Sequence, residues 1–143
     1  MISSPRSACP INRSLEMLGD QWSLLILRDI AVHDRRSFRE LLTGSEEGIS
    51  APVLSRRLSD LVRAGFLTKT AVPRGKQGRY SLTELGLAVI PLLVELGHLG
   101  ARIDPATRDH APDLGDQPDA LHQQIAALRR AHLQGAPTAP SGT

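Results

Sequence analysis

Apolar residues recur along this chain with two different periods, and the changes of period mark its elements. Ile11, Leu15 and Leu18 fall at i, i+4 and i+7, one face of a helix that opens at Pro10 and stops at Gly19. Proline suits the first helical turn, where its missing N–H would have no partner anyway. Asp20 then stands where an N-cap belongs, ahead of "QWSLLILRDIAV". In that stretch Trp22, Leu24, Leu25, Ile26, Leu27 and Ile30 occupy most faces, so this second helix is expected at the centre of the core. Ser37 and Glu40 form an S-x-x-E capping box that opens a short third helix, with Phe38, Leu41 and Leu42 facing inward. After the polar loop "TGSEEG", Ser50 caps a fourth helix that tolerates Pro52 in its first turn and ends at Gly65.

The period then shortens. Leu67 to Val72 and Arg79 to Leu82 carry β-type residues around a Pro/Gly/basic loop, which predicts a two-stranded hairpin. Thr83 caps a long helix running to Ile103. Its Leu85, Val89, Leu92, Leu96, Leu99 and Ile103 step by 4, 3, 4, 3 and 4, a heptad seam. Ile90, Leu93, Val94 and Gly97 make a second apolar flank, so one flank can cover its own domain and the other a second chain. Pro91 is expected to kink this helix. Beyond Asp104 the composition turns to Pro, Asp, Gly and Ala. The chain thus reads as an arm over 1–8, one domain over 9–103 and an extension over 104–143. The extension holds one short helix at 120–133, through Leu121, Ile125 and Leu128, and a disordered end "QGAPTAPSGT".

Length and composition fit this picture. The 143 residues suffice for one domain, and 41% apolar with 22% charged residues is a globular composition. No long uninterrupted apolar run predicts a membrane span, and "MISSPRSACP" has no apolar leader segment. The single cysteine, Cys9, cannot pair within the chain, which agrees with a reducing cytoplasm. Net charge is only +2, but its distribution is uneven. From Ser50 to Tyr80 there are seven basic residues against one acid, Asp60, a local +6 that leaves −4 for the rest. One-sided charge of this kind is the footprint of a polyanion binder, or of an ordinary solvated basic face.

Two helices joined by a turn, the second carrying arginines near its start, form a helix-turn-helix, and the basic hairpin after it makes a wing. The fold class is therefore mainly α with a small β-hairpin: a winged helix-turn-helix domain flanked by helices at its N- and C-terminal ends, which the family resemblance given below makes dimerisation helices. On a helical wheel Ala51, Leu54, Leu58, Leu61 and Val62 share the inward side of the fourth helix. Pro52, Ser55, Arg56, Ser59 and Arg63 point the other way, as in a recognition helix seated in the major groove of double-stranded DNA. Arginine there can grip guanine with two hydrogen bonds, which makes Arg56 the first candidate. Ser50, Ser55 and Ser59 suit a phosphate, and Pro52 and Val53 a thymine methyl. Arg57 borders the buried stripe and is expected to make a structural or phosphate contact. In the wing, "PRGKQGR" supplies Arg74, Lys76 and Arg79 for the phosphate backbone. Its Gly75-Lys76 lacks the spacing and the Ser/Thr of a nucleotide-binding loop.

Other chemistry is weakly represented. Trp22 and Tyr80 read as core residues. No two of the five histidines are four apart and no cysteine lies near them, so no metal or other cofactor is expected. No catalytic arrangement stands out, and an enzyme is not expected. The competing reading is a winged-helix module that holds a protein partner without specific DNA binding.

The segments "CPINRSLEMLGDQWSLLILRDI", "SFRELL", "GISAPVLSRRLSDLVRAGFLTKT" and "RYSLTELGLAVIPLL" resemble the HxlR-type (MarR-like) winged helix-turn-helix regulators, in order, from Cys9 to about Gly100. The resemblance implies a bacterial transcriptional regulator, a recognition helix over Ser50–Ala64, a wing over Thr70–Leu82, and a homodimer built by the first and the long helix. The interface would then use Ile11 and Leu15 with Leu85, Val89, Leu92, Leu96, Leu99 and Ile103. Where the family often has tryptophan before a glycine, this chain has Leu99-Gly100. The resemblance also implies a thiol responsive to an oxidant or electrophile just before the first helix, here Cys9. Independently, a helix N-terminus with Arg6 and Arg13 close in sequence would favour the thiolate. An unreactive residue packed at the helix start is the other reading of Cys9.

Overall fold

The structure, a computed structural model, describes residues 3–73, 75, 77–114 and 117–134. Arg74 and Lys76 of the wing lie outside the described residues, and so does the expected disordered end apart from Gln134. Among the described residues seven helices and one hairpin follow in the order α1 (Pro10–Leu18), α2 (Ser23–His33), α3 (Phe38–Gly44), α4 (Ala51–Arg63), β1 (Leu67–Thr70), β2 (Arg79–Leu82), α5 (Glu84–Leu87), α6 (Ile90–Ile103) and α7 (Pro118–Leu133). A 3₁₀ turn, Pro105–His110, separates α6 from α7.

Side-chain caps set the boundaries. Asp20 Oδ1 accepts from the Trp22 and Ser23 amides at 2.8 and 2.9 Å, so it caps α2 from just upstream of it. The Ser37, Ser50 and Thr83 hydroxyls accept from the amides of Glu40, Val53 and Gly86 at 3.1, 3.4 and 3.1 Å. Each satisfies a donor that a helix start leaves unpaired. At the other end of α4, Gly65 takes φ +88°, and its amide and that of Phe66 return to the Val62 and Leu61 carbonyls. This Schellman closure needs a left-handed residue and throws the chain straight into β1.

The core gathers around α2. Leu27, Ile30, Leu54, Leu58 and Leu82 are each at most 1% exposed, and Tyr80 is buried with them. Trp22 packs half-buried on the same cluster. Ala51, expected inward, is exposed, because the core beneath α4 begins one turn later, at Leu54.

The expected long helix is two helices. Pro91 cannot donate to the Leu87 carbonyl and its ring crowds that turn. The chain answers with a tighter turn at Ala88–Val89, where the Val89 amide reaches the Gly86 carbonyl at 3.1 Å. This shifts the helical phase. Val89, expected on the interface seam, is only 5% exposed and belongs to the domain's own core. By length and composition Glu84–Ile103 is also apolar enough to cross a membrane, with mean hydropathy 1.5, although no single apolar run signals it.

The extension after Asp104 folds back. Leu114 is buried in the core, and Leu121, Ile125, Leu128 and Leu133 pack against it. α7 begins at Pro118, two residues before its expected start. It ends beside the hairpin, where His132 Nδ1 accepts from the Leu82 amide at 2.8 Å. Arg129 of the same helix pairs with Glu84.

Candidate nucleic-acid interface

The helix-turn-helix consists of α3 and α4 with the turn over 45–50. Ile49 is buried at its end, and Ser45 Oγ accepts from the Ile49 amide at 3.1 Å. Arg28 of α2 grips the turn by two hydrogen bonds to Glu47, 2.8 and 3.1 Å, which hold the Glu47 carboxyl below its ordinary pKa. A turn tied to the core in this way fixes the angle of α4.

α4 divides cleanly. Leu54, Leu58 and Leu61 are at most 2% exposed, whereas Ser50, Pro52, Ser55, Arg56 and Ser59 are exposed, and Val53 is half-buried. Its arginines differ. Arg57 Nε lies 3.5 Å from Asp20 Oδ1, and its Nη1 lies 3.5 Å from Asp60 Oδ2. Burial would raise the Asp20 pKa, but the Ser23 hydroxyl, the Trp22 and Ser23 amides and Arg57 together hold it low. Arg63 Nη1 stands 3.8 Å from Asp60. Arg56 has no hydrogen bond or ion pair among the described residues. It projects from the N-terminal half of the helix, the part that reaches base edges when a recognition helix enters the major groove.

The hairpin pairs Leu67 with Leu82 and Thr70 with Arg79 in antiparallel register. Gly75, at φ +91°, turns the loop between the strands. Arg79 is exposed at the wing base, and Lys69 stands over the Tyr80 ring at 5.6 Å. Gln77 accepts from the Arg39 amide of α3 at 3.2 Å, so the wing and the helix-turn-helix are joined directly. Arg36, in the α2–α3 connection, accepts the Tyr80 N–H on its carbonyl at 2.7 Å. Its guanidinium donates to the Tyr80 carbonyl at 3.0 Å and to Ser81 Oγ at 2.5 Å. Sequence reasoning passed over Arg36 and His132. Both act across 44 to 50 residues, and no periodicity carries that signal.

Cys9 is exposed at the N-cap position of α1 and makes no side-chain cap bond. Arg6 and Arg13 do not stand free beside it. Glu16, whose side chain is fully buried, lies 3.0 Å from Arg6 Nε and 3.8 Å from Arg13 Nη1, and Asn12 donates to it at 3.0 Å. The arm is thereby tied to α1. Among the described residues, the exposed large apolar side chains are Ile11, Leu15, Leu85, Leu92, Leu96, Leu99, Ile103 and, on the hairpin, Val72. Five of those eight belong to the seam read from the sequence, and Ile11 and Leu15 are the two first-helix residues expected beside it. The described residues hold no cluster of His, Cys, Asp or Glu suited to a metal.

A capped recognition helix with a polar outer face, braced by a turn tied to α2 and by a basic hairpin, defines a winged helix-turn-helix of the DNA-binding class. The HxlR-like helix-turn-helix model matches residues 17–107, and the chain belongs to that family. It is a transcriptional regulator and not an enzyme. A Synechocystis regulator of the helix-turn-helix type is 31% identical over 94 residues, covering 65% of this chain and 68% of its own length. A Mycobacterium bovis regulator of the same type is 35% identical over 91 residues, but the chain spans only 56% of its length. Among solved structures, PA1607, described as a transcription factor, superposes with TM-score 0.63 at 34% identity, over 71% of this chain and 69% of that one. The reduced form of the transcriptional regulator YodB from B. subtilis superposes with TM-score 0.51 at 26% identity, over 77% of this chain and all of that one.

Proposed function

We propose that the protein is a homodimer that binds a near-palindromic operator in the cytoplasm and reads its bases mainly through Arg56. The observation that carries this reading is the state of Arg56: exposed, at the start of the outward face, with no partner among the described residues, beside an Arg57 that is held by two aspartates. Ser50, Pro52, Val53, Ser55 and Ser59 complete the surface presented to the groove, and Arg74, Lys76 and Arg79 approach phosphates. Arg57 acts through Asp20 and Asp60, by fixing α4 on α2. Two-fold symmetry sets the recognition helices roughly 34–36 Å apart, one turn of duplex.

The dimer reading rests on the exposed stripe of Ile11, Leu15, Leu85, Leu92, Leu96, Leu99 and Ile103. An apolar stripe of this extent marks an interface. A second copy suits it better than a bilayer, since Glu95, His98 and Arg102 lie along α6. The test is electrophoretic binding to duplex upstream of the protein's own and neighbouring genes, against random duplex, with light scattering in parallel. Equal affinity for every duplex, or a monomer at micromolar concentration, overturns this reading and favours the protein-interaction module.

Cys9 is the responsive thiol in this proposal. It is exposed and begins the helix that carries Ile11 and Leu15. A peroxide oxidises the thiolate to sulfenic acid. A second thiol, from a small molecule or from Cys9 of the partner subunit, then condenses with it and releases water. Either product sits at the interface and alters the spacing of the recognition helices. DNA binding by wild type and Cys9→Ser, with and without peroxide or quinone, decides the matter. An identical response of the two proteins removes Cys9 as the switch.

A further inference from the structure

We propose that the C-terminal helix α7 is a positioning element for the wing, with His132 as the residue that holds the β2 strand in place. The proposal rests on the DNA-binding reading above and gives the extension a part in it. In the antiparallel register the Tyr80 and Leu82 amides point away from β1. A two-stranded ribbon would leave both unpaired, and such a ribbon is marginal on its own. Here both are occupied. The Arg36 carbonyl takes the Tyr80 N–H at 2.7 Å, and His132 Nδ1 takes the Leu82 N–H at 2.8 Å. β2 is therefore clamped on its outer edge by one group from the α2–α3 connection and one from α7.

The chemistry of His132 suits an acceptor. A ring nitrogen accepts only when it carries no proton, so Nδ1 must be bare and the ring proton must sit on Nε2. Burial, together with the Arg36 and Arg79 guanidiniums, pushes the His132 pKa down to about 4, against a weaker opposing pull from Asp34. The ring stays neutral throughout the physiological range. His132 is itself buried, and Leu121, Ile125, Leu128 and Leu133 seat the helix on the core. Arg129 fastens it to Glu84, one residue past the Thr83 cap that follows β2. The family match covers residues 17–107, and α7 lies beyond it. Its contact falls on the strand that leads back from the basic loop.

The experiment compares wild type, His132→Leu and His132→Asn in the full chain. Asparagine returns an acceptor oxygen near the position of Nδ1, whereas leucine fills the space without one. Circular dichroism checks the fold. Amide exchange at Leu82 reads the bond, and DNA affinity across a salt series reads the wing. We expect His132→Leu to exchange the Leu82 amide about ten-fold faster or more. We expect it to flatten the salt slope by roughly one to two, with specific and random duplex weakened alike. His132→Asn should restore both. In the unsubstituted protein a scalar coupling between the Leu82 and His132 nitrogens should be detectable, so the bond can be tested even where a variant folds poorly. Absence of that coupling, or unchanged Leu82 exchange in a folded His132→Leu, overturns the clamp. Faster exchange with an unchanged salt slope overturns its role in wing placement. Wild type that fails to bind any duplex sinks the DNA-binding reading, and the positioning role with it, while the coupling would still register the bond.

Discussion

α4 and α6 are similar in length, 13 and 14 residues, and they leave opposite chemistry at the surface. In α4 the three leucines of the inward face are at most 2% exposed, and what remains outside is Ala51 with serine, proline and arginine. In α6 only Ile90 is buried, while Leu92, Leu96, Leu99 and Ile103 are 40% to 76% exposed. α4 has finished its hydrophobic work within its own chain, so its free surface is charge and hydrogen-bonding groups, which suit a polyanion. α6 has not, so beside Glu95, His98 and Arg102 it keeps an exposed apolar stripe, the surface assigned above to a second copy in the proposed dimer. One fold thus presents two faces whose partners differ in kind.

The comparison breaks most visibly on α6. Leu96→Glu puts a charge in the middle of the exposed stripe without touching the core. We expect a folded monomer by light scattering and an operator affinity lower by about 10²-fold or more, because the two half-sites no longer bind as one unit. A variant that remains dimeric removes the stripe as the interface. The counterpart on α4 is Leu58→Ala, at a fully packed site. It should cost about 2–5 kcal/mol in denaturant unfolding, whereas Leu92→Ala, 41% exposed in the single chain, should cost far less when both are measured in the monomeric Leu96→Glu background. Equal losses would erase the distinction between the two helices.

Within α4 the same contrast sets Arg56 against Arg57. Arg56→Ala should cost about 1–3 kcal/mol of specific binding and relax one operator position, with no change in melting temperature. Arg57→Ala should do the reverse, lowering the melting temperature as Asp20 and Asp60 lose their counter-charge. If both variants lose only DNA binding, the structural assignment of Arg57 fails. The smallest effect belongs to the wing. Arg74→Ala or Lys76→Ala should weaken specific and random duplex alike and flatten the salt slope by roughly one unit. Loss of specific binding alone would mean that the wing reads bases.

Much of this architecture was legible because its signals are local. Ser37, Ser50 and Thr83 are caps within three residues of the amides they serve, and Gly65 closes α4 through bonds that span no more than five residues. The wheel of α4 was right at Leu54, Leu58 and Leu61 and failed at Ala51, since periodicity does not say where the core begins. The seam from Leu85 to Ile103 reads from its pattern as one helix kinked at Pro91. Its count of 4 and 3 ran straight through Val89, and the tighter turn before Pro91 redirects that residue. The Arg36 and His132 contacts were out of reach, as was the buried Glu16 that pairs with Arg6 and Arg13. A charged residue in a sequence carries no mark of burial; only the assembled neighbours reveal it.

The closed outer edge of β2 has a consequence for how this protein tolerates crowding. A strand with free N–H groups is a template on which another chain's strand can zip, and that is a route to swapped dimers and aggregates. Transcription factors gather at high local density along a promoter, where such an edge would be met often. With the Tyr80 and Leu82 amides occupied by Arg36 and His132, β2 offers no donors there. The same bonds that hold β2 therefore also close its outer edge to a pairing strand.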